Sequence, residues 1–222
     1  MTDRPIIFSA AMVMALLAGR KTQTRRLLSI RGRRGFTEFG RSDTPGYDWH
    51  FRDARMLWHD LRHDELLAKL PWQVGDRLWV RENILQSKSN TTLPSGEAES
   101  YWHSECIEYC ADAPEPQPRF LHPDRYGSAW MGRRPAIHMP RHASRLTLTV
   151  TDVRVQRLQE ISAVDAEAEG WDGRGDPHMP WGTIAIHWLM GVWGQLHGDA
   201  AWGANPHVVA LTFTVEQRNI DA

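Results

Sequence analysis

Gly19-Arg20-Lys21-Thr22-Gln23-Thr24-Arg25-Arg26 places a lysine, two threonine hydroxyls and three arginines directly behind a predicted helix stop. Ser9 reads as an N-cap, Ala10 to Ala18 as a run of helix formers, and Met12, Leu16 and Gly19 as a core-facing stripe with a C-terminal stop. The basic octet therefore leaves a helix end. A lysine there is a solvated cation, a phosphate contact, or a base whose pKa is lowered by burial. Thr24 is correspondingly a phosphate-binding hydroxyl or a nucleophile.

The chain of 222 residues is long enough to bury a substantial core, and a single elaborated domain over 1–222 is the expectation. The formal net charge of −1 argues against a generally polycationic nucleic-acid binder, but the charge is unevenly spread. Residues 1–34 hold eight Lys and Arg against one Asp, whereas Glu97 to Glu115 holds six acids and no Lys or Arg. A basic face set apart from an acidic insertion follows from that division. With Lys21, Lys69 and Lys88 as the only lysines, Lys21 is conspicuous. Two cysteines give no disulfide framework, no signal-peptide pattern opens the chain, and the apolar runs are too short to span a bilayer. A cytoplasmic, non-membrane monomer is therefore expected. The eleven tryptophans are expected mainly in core and rim packing, with base stacking a minority role.

The elements that position the octet read as follows. Residues 27–48 are a long basic loop, and 50–70 a short amphipathic helix or two built on Phe51, Met56, Leu57, Leu61, Leu66 and Leu67. Pro71 to Asp76 is a turn into a strand at 77–82, with Leu78 and Val80 on its apolar face. Residues 86–134 read as an insertion with one strand near 107–111. Its His103, Cys106, Cys110 and His122 match zinc spacings poorly, so no metal is expected. Strands follow at 146–150 and 153–155, then a Ser-capped helix at 161–170, a Trp-rich helix at 183–197 weakened by Gly191 and Gly194, and a strand at 208–215. Few helices and several short, distant strands predict an α+β fold, a small mixed β-barrel with packed helices. No Walker loop, dinucleotide fingerprint, zinc-binding HExxH or nucleophile elbow is present, and no cofactor is expected.

The Gly19 to Arg25 motif, the Val74-Gly75-Asp76-x-Leu78-x-Val80 turn and strand, and the capped helix ending in Glu169 resemble the ASCH family. Trp79-Val80-Arg81-Glu82, Arg134 to Arg141 and Asn205-Pro206 further resemble its phage- and prophage-encoded subgroup, which would place the protein in a host cytoplasm. The resemblance implies a PUA-like β-barrel carrying a long insertion. Four readings of function stand beside it. Small bacterial members are amidohydrolases that remove an acyl group from the exocyclic amine of cytosine, with a Lys, a Thr three residues on, and a later Glu. Those positions match Lys21, Thr24 and Glu169, with Arg20, Thr22, Arg26, Trp79 and Glu82 as substrate-binding candidates. The alternative is a PUA-like RNA- or DNA-binding module without catalysis, using Arg25, Arg31, Arg33 and Arg34. A metal-dependent ribonuclease is the third reading and a structural phage role the fourth. The partner is accordingly a modified nucleoside or a nucleic acid. In the hydrolytic reading Thr24 attacks, a neutral Lys21 accepts the proton, and Glu169, expected in an exposed last helical turn, orients the lysine or relays the proton.

Overall fold

The computed structural model describes residues 2–30, 35–92, 98–112, 119–120, 129–176 and 178–222. In chain order the main elements are β1 (Asp3–Ile7), α1 (Ala10–Leu17), β2 (Gln23–Leu27), β3 (Phe36–Arg41), β4 (Trp49–Asp53), β5 (Trp58–Leu61), α2 (His63–Lys69) and β6 (Arg77–Arg81). There follow β7 (Ile84–Thr92), β8 (Ala98–Tyr109), β9 (Arg119–Phe120), β10 (Ala129–Arg134), β11 (Thr147–Arg157), α3 (Ala163–Ala168), α4 (Trp181–His197) and β12 (His207–Glu216). These fall into two compact units. One is built from 1–2, 20–76 and 149–214, the other from 3–19, 77–148 and 215–222.

In the first unit β11, β12 and β2 are neighbouring strands, with β2 antiparallel to β12 and Thr24 opposite Leu211. The β12 residues Val208, Val209, Ala210 and Leu211 are all fully buried, so this strand is covered on both faces. Its helical cover includes α3 and α4, where Ile161, Ala166, Trp171, Ala185 and Leu189 form one cluster. Leu158, Trp193 and Val208 form another. A three-stranded antiparallel sheet, β3-β4-β5, occupies the region read as loop and helix. Trp49, Phe51 and Asp53 alternate inward along β4, and that period of two outweighs the helical reading. Met56 and Leu57 are exposed at the β4–β5 turn, with Met56 at a φ of 66°. Only the α2 part of the expected helical stretch is helical.

In the second unit β1 runs parallel to β6, from Asp3 opposite Arg77 to Ile7 opposite Arg81. Gly19, just past α1, takes a φ of 70°, which supplies the predicted stop. Within the stretch read as an insertion, the described residues form a four-stranded antiparallel sheet in the order β8-β7-β10-β9. Ile84, Met139 and Ala143 anchor it in a small core with Ile107 and Tyr109.

The class is therefore mixed α+β, with four α-helices and several sheets among the described residues. The expectation of a barrel is corrected: among those residues no sheet closes on itself. Strands β3 to β5, and strands β7 to β10, instead pair in local antiparallel sheets of their own. No helix among the described residues is long and apolar enough to cross a membrane.

His207, at the start of β12, meets Phe39 and Trp49 edge-on at 4.7 and 5.9 Å. Burial, with the nearby charges of Arg157 and Arg41 outweighing Glu160, lowers its pKa from 6.5 to about 4. The fold thus favours the neutral ring, and protonation favours the unfolded chain. Stability should be at its full value above pH 6.5 and decline as pH falls towards 4, because the unfolded chain takes up the proton first. Thermal unfolding of His207→Gln at pH 7.5 and 4.5 should show a smaller acid-induced drop in Tm than wild type, and an equal drop would remove His207 as the cause.

Candidate functional site

The backbone first brings the octet to α3. Thr22 N donates to Ala168 O at 2.9 Å, Phe213 N donates to Thr22 O at 2.9 Å, and Lys21 and Glu169 form an isolated antiparallel bridge. Helix α3 is fixed from its other end by Ser162, whose hydroxyl accepts Asp165 N at 3.1 Å. At its C-terminus free carbonyls face cations, the favourable pole for positive charge. Arg20 Nη1 donates to Gly170 O at 2.7 Å, and Lys21 Nζ donates to Glu169 O at 2.8 Å.

Lys21 is 1% exposed. Its ammonium also donates to Glu169 Oε2 and to Gln23 O, each at 2.8 Å, so three acceptors surround three protons. The other Glu169 oxygen accepts Arg25 Nη1 at 3.1 Å. Arg25 further donates to Gln23 Oε1 at 2.7 Å and to Asp165 Oδ2 at 3.2 Å. Gln23 Nε2 donates to Asp165 Oδ1 at 3.0 Å and Thr212 Oγ1 at 3.3 Å, and Arg154 Nη2 donates to Asp165 Oδ1 at 3.2 Å. The buried Arg25 Nε has no hydrogen-bond partner among the described residues. Burial draws Lys21 below the ordinary lysine range; Glu169 opposes that shift, while Arg26 and Arg25 reinforce it. Burial pushes Asp165 upward, but hydrogen bonds from Gln23 and Arg154 and the charges of Arg154 and Arg25 outweigh it, leaving the carboxyl below its ordinary value. Burial lowers Arg26 as well, against the pull of Glu169. Lys21 and Arg25 pair with Glu169, Arg25 and Arg154 with Asp165, and Arg154 also with Asp152, so the cluster is a network of alternating charges.

Of the predicted trio, Lys21 and Glu169 are brought together. Glu169 is 4% exposed, which corrects the expectation of an exposed last turn: the Lys21 bridge, closed across 148 residues of sequence, covers it. Thr24 is buried on β2 and makes no hydrogen bond to either among the described residues. Gln23 and Arg25 reach Asp165 from one strand face, so alternation puts Thr24 on the other. Thr22 and Arg20 are exposed, and Arg26 is half-buried. Arg25, an expected phosphate contact, points into the cluster and is 4% exposed.

Trp79 and Glu82 belong to the second unit. Trp79 lies with the Arg81 guanidinium 5.1 Å from its ring centre. Glu82 is 1% exposed and accepts Arg145 Nε and Nη2 at 2.9 and 3.0 Å. Arg31, Arg33 and Arg34 lie outside the described residues, as do His122 and the side chains of His103 and Cys106. Cys110 is a free thiol. Sequence reasoning missed Gln23, Arg154 and Asp165. The available signal was the alternation Lys21-x-Gln23-x-Arg25; Asp165 was masked by its second role as the acid in a capping motif.

No protein-family model matches the chain, and neither a curated protein nor a solved structure is significantly similar to it.

Proposed function

We propose that the Lys21–Glu169 centre hydrolyses an amide on a modified nucleobase of the N(4)-acylcytosine type, and that the chain is an ASCH-type, PUA-like protein acting in the cytoplasm. One observation carries this reading: two ionisable residues assigned to catalysis from sequence meet at 2.8 Å in a site closed to bulk water. A buried ion pair contributes little to stability compared with apolar packing of the same volume, and buried titratable pairs with shifted proton affinities cluster at functional sites. A proton passed along the Nζ–H···Oε2 contact leaves a neutral amine and a neutral acid, the combination that burial favours. The amine then takes the proton of the attacking hydroxyl. Glu169 delivers its proton to the departing exocyclic nitrogen, and Arg25 Nε supplies a donor for the oxyanion. In this scheme a water molecule attacks and carries the acyl group away as a carboxylic acid, or Thr24 attacks after a local shift of residues 21–24 and water then cleaves the acyl-Thr24 ester.

A second reading is favoured by the three-fold engagement of the Lys21 ammonium and by the placement of Thr24 on the other strand face. In it the cluster is a fixed cation holding a nucleic-acid-binding surface, without turnover. Incubation of the purified chain with a panel of N(4)-acylated cytidines, with no added metal, separates the two. Release of free cytidine is expected. No release from any of them, together with RNA or DNA binding that weakens steeply with salt, would replace the enzyme by the binding module.

A further inference from the structure

The first unit contains a cleft of about 560 Å³ that the Lys21 cluster does not share, and this is within the range of small-molecule sites. Its floor includes Phe51, which is 2% exposed, and its rim carries Tyr47 and Trp58 at 41% and 51% exposure. His59, Asp60 and Lys69 supply the polar lining. Two of these are held in place from outside the cleft. His59 stacks on Phe51 with ring centres 4.8 Å apart, and its Nε2 lies 3.0 Å from Asp53 Oδ2. Asp53 is itself immobilised, because its other oxygen accepts Arg55 N and Leu57 N at 2.9 and 3.0 Å. The hydrogen bond from His59, with those backbone donors, brings the Asp53 pKa down to about 2, so it is a carboxylate across the neutral range. The His59 Nε2 proton is therefore committed to Asp53, and Nδ1 is the ring atom left without a hydrogen bond among the described residues. Asp60 is oriented in the same way: Oδ1 accepts Ser42 Oγ at 2.7 Å and Oδ2 accepts Thr44 Oγ1 at 3.1 Å. Each oxygen retains a lone pair for a further donor.

We infer that this cleft binds a nucleotide-sized ligand through a planar heteroaromatic ring bearing an exocyclic amine. The ring packs against Tyr47 and Trp58, the amine donates one proton to Asp60 and the other to His59 Nδ1, and Lys69 holds an anionic group. Apolar and aromatic walls account for a flat ring, because every base has a face that stacks on an aromatic side chain. A carboxylate with an unfilled lone pair selects a donor over an acceptor at that position. The keto analogue would set two acceptors against each other and leave the carboxylate unsatisfied.

Calorimetric titration of the full chain with adenosine and cytidine 5′-monophosphates, against inosine and uridine 5′-monophosphates, tests the assignment. The amino-bearing pair should bind at least about tenfold more tightly than the keto pair. Asp60→Asn should erase that preference. Lys69→Met should weaken the nucleotides while leaving the affinity of the corresponding nucleosides unchanged, and Tyr47→Ala should weaken all of them. Lys69 and Tyr47 are exposed, so these two variants decide the matter even where Asp60→Asn fails to fold, which loss of a cooperative melt would reveal. Absence of saturable binding with all four nucleotides, or equal affinity for amino and keto bases, would each overturn the site.

Discussion

Glu169→Gln should destabilise the protein by about 3–5 kcal/mol, the usual loss when one partner is removed from a buried ion pair. The substitution preserves shape and removes charge. It leaves Lys21 and Arg25, at 1% and 4% exposure, as buried cations facing an amide that donates as well as accepts. Urea denaturation measures the loss as a lowered midpoint at constant slope. The double variant Lys21→Met/Glu169→Leu should recover a large part of it, since apolar side chains of similar volume need no counter-charge in that space. A loss below about 1 kcal/mol for Glu169→Gln would mean that the carboxylate does not hold Lys21 in solution.

Lys21→Arg should lower turnover of N(4)-acylcytidines by roughly two to four orders of magnitude, because a guanidinium keeps the charge but cannot deprotonate near neutral pH. The effect belongs in kcat, with KM little changed. Because arginine is larger than the space Lys21 occupies, rates must be compared per folded molecule, with the melting transition measured alongside. A variant that hydrolyses any nucleobase amide at near wild-type rate would remove Lys21 from the chemistry.

The elements legible in the sequence were those whose pattern is set by their own burial. Leu148 and Val150 in β11, and Leu211 and Phe213 in β12, alternate as strands should. Ser162 announces α3, and the apolar spacing of α4 survives Gly191 and Gly194. What was not legible depends on partners far away in the chain. β3 carries Phe36 and Phe39 among Thr, Glu, Gly and Arg, and Phe39 acquires its meaning only from stacking on Trp49 at 5.3 Å and meeting His207. β7 pairs with β8 through backbone groups in a segment rich in Ser, Asn, Thr and Glu, where hydrophobicity gives no period. In the candidate site, the types of Lys21 and Glu169 could be read locally. Their burial could not, nor could the inward turn of Arg25, since both follow from a contact that local pattern does not encode.

The bridge between Lys21 and Glu169 also bears on the order in which the chain acquires its structure. Joining positions 148 residues apart carries a loop-closure entropy of about 4 kcal/mol or more, whereas the β4–β5 hairpin and the capped turn of α3 close over a few residues. Local elements are therefore expected to form before the centre that joins β2 to α3. A chain emerging from the ribosome holds Lys21 long before Glu169 exists, so the centre is absent from every product that ends before Glu169.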